Sequence, residues 1–218
     1  MTNSRPTRTN FDRQVRRLQR DILRMGALVE SSCLLAREAL CDRNLDAAKK
    51  LEVQDRQIDQ FYRQIELDCI NLLTVQSPVT QDLRLLSAFM QLVRDLERIG
   101  DYSKDIGEVA IKLFPYPVDP CIEQVRTMLD RCRAMVALSL VALSNLDAET
   151  GNQIKDKDDA VDQDYEDLYI LLAHQRNVEG IVEPIVLMVL VIRYLERIAD
   201  HATNIGKRVA FIVTGQRT

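Results

Sequence analysis

The chain is predicted to be all-α, with two tandem three-helix bundle repeats forming one six-helix protein. Three observations carry this. Apolar residues recur at three- and four-residue steps along most of the sequence, the period of a helix with one buried face. The 218 residues include only 7 Gly and 6 Pro, little material for the turns of a β protein. Residues 93–107, V-R-D-L-E-R-I-G-D-Y-S-K-D-I-G, return as residues 192–206, I-R-Y-L-E-R-I-A-D-H-A-T-N-I-G, with eight of fifteen positions identical at an offset of 99. A repeat at close to half the chain length marks a duplication. The identities include Arg94/Arg193, Glu97/Glu196, Arg98/Arg197 and Asp101/Asp200, so whatever these charges do is expected to be done twice.

A first helix is expected over about residues 11–41, where Val15, Leu18, Ile22, Met25, Val29 and Cys33 share a face. Residues 1–9 ahead of it are expected to be a disordered basic tail. A second helix, about residues 45–75, aligns Leu51, Ile58, Ile65, Leu72 and Val75. Ser77-Pro78 ends it, and Pro78 is tolerated near the next helix start because a missing N–H costs little there. The third, about residues 79–114, carries Leu85, Phe89, Leu92, Leu96, Ile99, Ile106 and Leu113. The stretch P-Y-P-V-D-P at 115–120 cannot be helical throughout. It divides a first repeat, residues 10–116, from a second, residues 117–216. The second repeat is expected to hold helices over about residues 121–145, 150–177 and 178–215, the last closed by Gly215. Long helices with short connections fold back as antiparallel neighbours.

The charge balance excludes several classes. Net charge is -4 with a pI of about 5.3, and the arginines are spread out except between residues 5 and 20, which argues against a nucleic-acid partner. No run reaches the roughly 18 apolar residues of a membrane span, and the start lacks the apolar core of a secretory signal. Five cysteines, an odd number with no C-x-x-C pair, read as reduced structural thiols in a cytoplasm. Neither Gly-rich phosphate-loop pattern is present, and no anion pocket is legible.

Chemistry is concentrated in carboxylates. Glu97, Asp101 and Asp105 stand four residues apart, so they form one stripe turning by about 40° per step. The stripe lies away from the Leu92–Leu96–Ile99 row and should face solvent or a shallow groove. The second repeat has Glu196, Asp200 and Asn204 at the same spacing. A second acidic pair precedes each stripe: Asp55 and Asp59 in D-R-Q-I-D, Asp158 and Asp162 in D-D-A-V-D. The distance from pair to stripe allows two helices to fold back with both acidic groups together. Like charges at i,i+4 destabilise a helix by a few tenths of a kcal/mol per pair. A hard cation with oxygen ligands reverses that cost. The competing reading is an ordinary solvated face, in which Arg94, Arg98, Arg193 and Arg197 pair with carboxylates three residues away. Gly107 and Gly206 are equivalent and point to close helix packing, and His201 reads as a packing or surface residue.

These residues resemble the PhoU family of phosphate-uptake regulators. The family's mark is an acidic E/D-x-x-x-D pair on one helix and E-R-I-x-D-x-x-x-N/D on the next, twice. Here the marks are Asp55-x-x-x-Asp59 with E-R-I-G-D-Y-S-K-D, and Asp158-x-x-x-Asp162 with E-R-I-A-D-H-A-T-N. The run P-V-T-Q-D-L-R at 78–84 also looks like the family's helix-three start. The resemblance implies a cytoplasmic PhoU-like six-helix fold. It implies metal at Asp55, Asp59, Glu97, Asp101 and Asp105, and at Asp158, Asp162, Glu196, Asp200 and Asn204. Oxygen ligands suit Mg²⁺ or Mn²⁺, and the family leaves iron and zinc open. It further implies contact with the ATPase subunit of a phosphate ABC transporter and with a sensor histidine kinase, negative regulation when phosphate is plentiful, homodimerisation, and membrane association only through partners. Asp105 stands where the family usually has Asn, which predicts stronger metal binding at the first site. The alternative reading is a metal-dependent helical-bundle enzyme with a carboxylate di-metal centre, although neither stripe supplies the histidine of Glu-x-x-His.

Overall fold

The computed structural model describes residues 4–75, 80–175 and 180–216, with side chains from Arg8 onward and without that of Val75. Six helices follow in order: α1 Ser4–Cys41, α2 Leu45–Val75, α3 Thr80–Leu113, α4 Ile122–Asn145, α5 Ala148–Ala173 and α6 Glu183–Thr214. No strand occurs among the described residues, and no helix there is long and apolar enough to cross a membrane.

The predicted faces are the buried ones. Leu18, Ile22, Met25, Val29 and Cys33 of α1, and Phe89, Leu92, Leu96, Ile99 and Ile106 of α3, lie in one continuous core. Two boundaries differ from expectation. The expected disordered tail is helical from Ser4, while residues 1–3 lie outside the described ones. Arg8 explains part of this: it donates to both carboxylate oxygens of Asp82 on α3, at 2.6 and 3.1 Å, and lies over the ring of buried Phe11. In the second repeat α5 ends at Ala173 and α6 starts at Glu183; the expected boundary at 177 and 178 lies outside the described residues. Asp147 caps α5, accepting from the backbone N–H groups of Glu149 and Thr150. Pro184 sits in the first turn of α6, where its missing N–H is harmless. Gly215 closes α6 at φ 76°, the left-handed cap that favours glycine.

Within each repeat every helix touches the other two, and among the described residues the helices of the two repeats meet as α1 with α4 and α3 with α6. Those partners are equivalent helices, so the halves are related by a pseudo-twofold axis. Tyr102 and His201, equivalent in the duplication, stack on each other across it at 5.9 Å. Among the described residues helices α2 and α5 pack only against helices of their own repeat and so lie outermost. The proline hinge is tied down at its start: Arg43 donates to the carbonyl oxygens of Phe114 and Tyr116, and the Tyr116 hydroxyl donates to Glu183 at 2.6 Å.

The equivalent glycines serve close packing. A Cβ on Gly206 would stand 2.3 Å from the backbone oxygen of Gly151, so α5 and α6 meet backbone to backbone. A Cβ on Gly107 would stand 2.5 Å from Leu51 Cδ1, at the tip of a side chain. All five cysteines are free, and four are buried. Burial pushes the Cys33 thiol up to about 11 and Cys69 to about 12, which keeps them unreactive.

Candidate metal centre

Folding brings the acidic pairs to the stripes in both repeats. In the first, burial raises the Glu97 carboxyl above its ordinary value, and Asp101, Asp59 and Asp55 add to the rise. Burial likewise raises Asp101, which feels Asp55 and Asp59, and Asp105, which feels Glu108, Asp101 and Asp55. In the second, burial raises Asp158, reinforced by Asp162 and Asp200. Asp162 and Glu196 are raised by burial first and then by Asp200. These groups are close enough to repel one another, and most are half-buried, so the stripes line grooves between α2 and α3 and between α5 and α6. Asn204 lies one turn beyond Asp200 on α6, half-buried at the end of the second stripe.

The solvated-face reading is satisfied in part. Arg98 lies 3.6 Å from Asp101 and 3.8 Å from Glu97, Arg193 lies 3.0 Å from Glu196, and Arg197 lies 3.3 Å from Asp200. Arg63 pairs with Asp59 at 3.2 Å. The arginines of these pairs stand on the rims, 39–73% exposed, where an ion pair is worth little.

The two grooves differ at their centres. In the first, the Lys104 ammonium stands 2.8 Å from Asp55 Oδ2 and 3.7 Å from Asp101 Oδ1, a tethered cation among the carboxylates. Repeat two has Thr203 at the equivalent position. Among the described residues neither Asp158 nor Asp162 has an ion-pair partner within 4 Å, and Lys207 acts on Asp158 only from farther away. Lys104 therefore adds a positive charge that offsets the extra negative charge of Asp105 and opposes the stronger metal binding expected at the first site. The sequence reading missed Lys104, although it stands three residues after Asp101 on the acidic stripe, a spacing that permits an ion pair.

Whether these residues fit a metal follows from their donors. Among the described residues no three His, Cys, Asp or Glu side chains already converge as a ligand sphere. The donor set is nevertheless all oxygen and net negative, the chemistry of a hard cation. Glu196 Oε2 is buried without a hydrogen-bond partner, a vacancy in its bonding that a cation would fill. The second groove thus has the donor chemistry of a hard-cation site without a converged ligand sphere, and in the first the Lys104 ammonium stands between Asp55 and Asp101.

A six-helix protein with a pseudo-twofold axis and one acidic groove per half defines a class of duplicated helical-bundle proteins. Comparison with known proteins gives the family. The PhoU domain model matches residues 22–110 and 125–209, and the chain belongs to the PhoU family. It is 52% identical over 212 residues to a phosphate-specific transport system accessory protein PhoU homolog of Synechocystis sp., covering 97% of this chain and 95% of that protein. It is 31% identical to a homolog of the same name from Pseudomonas putida, covering 94% of this chain and 81% of that protein. The crystal structure of PhoU from Pseudomonas aeruginosa superposes with a TM-score of 0.88 at 30% identity, covering 94% of this chain and all of that one (100%). The phosphate transport system regulatory protein PhoU from Streptococcus pneumoniae gives 0.87 at 29% identity, covering 95% and 99%.

Proposed function

We propose that this chain is a cytoplasmic, non-enzymatic accessory protein of phosphate-specific transport. It works as a metal-binding adaptor between the transporter's ATPase subunit and a sensor histidine kinase, restraining the starvation response when phosphate is plentiful. One observation carries the reading: nearly the whole chain aligns with proteins named as accessory proteins of phosphate-specific transport. In the second groove Asp158, Asp162, Glu196 and Asp200 would hold the cation, with the Asn204 amide oxygen as a further donor. In the first, Asp55, Asp59, Glu97, Asp101 and Asp105 would do so after Lys104 moves. A bound metal supplies positive charge that cancels the repulsion within each groove and fixes a surface for partners to read. The adaptor then acts by differential affinity for the states of its assembly.

Elemental analysis of the purified chain, with co-purification of the ATPase subunit and the kinase before and after chelation, tests this. Bound metal and chelator-sensitive capture of either partner is the expected result. A metal-free protein that captures neither refutes the adaptor reading, and phosphatase activity dependent on Mn²⁺ would replace it with the enzyme reading.

A further inference from the structure

A second charged site lies between the grooves, on the pseudo-twofold axis. Where α3 meets α6, a cleft of about 830 Å³ is lined by Arg94 and Arg98 from the first repeat and Arg197 and Arg208 from the second. Tyr102 and His201 form its aromatic wall, and Asp95 is its one carboxylate. Four guanidinium groups line the cleft against one carboxylate; Arg98 also lies near Glu97 and Asp101, and Arg197 donates to Asp200 at 3.3 Å, so Arg94 and Arg208 carry its least-compensated positive charge. Asp95 offsets one of them at most: its Oδ1 accepts from His201 Nδ1 at 2.9 Å, and Arg208 Nε lies 4.0 Å from its Oδ2. Among the described residues Arg94 is exposed and has no ion-pair partner within 4 Å. Arg98 keeps only pairs at 3.6 and 3.8 Å. Asp95 Oδ2, His201 Nε2 and Arg208 Nε are buried without hydrogen-bond partners, so the wall is polar and incompletely satisfied from within. Guanidinium forks match the paired oxygens of a phosphoryl group.

We propose that this cleft binds a phosphate oxyanion, either inorganic phosphate or the phosphoryl end of a nucleotide. The site owes its existence to the duplication. Arg98 and Arg197 are equivalent residues, as are Tyr102 and His201, and each pair converges only because α3 and α6 pack together. Arg94's counterpart, Arg193, is instead held by Glu196 at 3.0 Å outside the cleft. The inference does not rest on metal binding in the grooves, because the arginines need no metal to hold an anion.

The test is calorimetric titration of the full chain in chelating buffer with inorganic phosphate and, separately, with ATP. Wild type is expected to bind at least one of them, and the tighter of the two identifies the source. The Arg94→Gln/Arg208→Gln variant should bind at least about tenfold more weakly, because each loses a charge-assisted hydrogen bond. Circular dichroism checks that it folds, and Arg94→Gln alone, at an exposed position, supplies a variant whose fold is not at stake and which should also weaken binding. No binding of either ligand at millimolar concentration overturns the proposal. So does equal binding by wild type and both arginine variants. Binding abolished by Asp158→Asn/Asp162→Asn but kept in the arginine variants would move the anion to the grooves and likewise overturn it.

Discussion

Lys104→Thr installs in the first groove the residue that the second groove already has. The ammonium lost from Asp55 stood at 2.8 Å, with the two side chains only 26% and 13% exposed. That shielding lifts the pair above an exposed ion pair, worth about 0.2–1 kcal/mol, towards a hydrogen bond to a charged group, about 1.5–3 kcal/mol. Its removal also leaves Asp55 and Asp101 facing each other without the charge between them. A loss of about 2 kcal/mol is expected in chelating buffer, and for a chain of this size each kcal/mol lowers Tm by about 2–4 °C. Metal should then act in the opposite sense. At 100 times its Kd a ligand of the folded state adds about 2.7 kcal/mol, so Mn²⁺ should raise the variant's Tm more than that of wild type, whose first groove is occupied by its own lysine. Thermal melting of wild type, Lys104→Thr and Lys104→Arg, each with chelator and with Mn²⁺, measures both effects. A variant that melts with wild type in chelator, or gains no more from metal, would refute the view of Lys104 as the groove's resident cation.

Other outcomes follow from the same geometry. Asp158→Asn/Asp162→Asn should be more stable than wild type in chelator, because like charges are removed, and should lose the metal-induced rise of the second groove; a melting series in Mg²⁺ and Mn²⁺ decides it. The carboxyls of Glu97, Asp101, Asp105, Asp158, Asp162 and Glu196 are raised in the folded state, so the folded chain holds their protons where the unfolded chain has released them. Their contribution to metal-free stability is therefore greatest below the raised values and declines as pH rises through them from the ordinary carboxylate range. Melting in chelator between pH 4 and 7 should show a shallower decline for Asp158→Asn/Asp162→Asn, and bound metal should reverse the trend because protons compete for its ligands. Gly206→Ala drives a methyl group into the Gly151 backbone oxygen and should cost about 1–3 kcal/mol. Gly107→Ala meets only the tip of Leu51 and gains up to about 1 kcal/mol of helix propensity, so it should be much the milder in urea denaturation.

Helix content, the two repeats and the acidic stripe along each of α3 and α6 were legible in the sequence because each rests on local spacing. The 3.6-residue period sets which side chains share a face, and the duplication doubles that signal. Helix ends were less legible. Arg8 extends α1 through a contact with Asp82, 74 residues away, which no local pattern contains. The role of Gly206 was foreseen as close packing, but its contact with Gly151, on another helix, was not.

The sequence by itself determined that this chain is a duplicated all-helical protein with an acidic pair and an acidic stripe in each half, since spacing along a helix places those side chains. Only the tertiary structure decided what stands between them. Lys104 enters one groove and a threonine flanks the other, and arginines that look scattered over the chain, 99 positions apart in the case of Arg98 and Arg197, gather at one cleft. The physical reason is that electrostatics acts through space. A pattern along the chain fixes the charges on one helix, whereas their balance depends on which other helix packs against it.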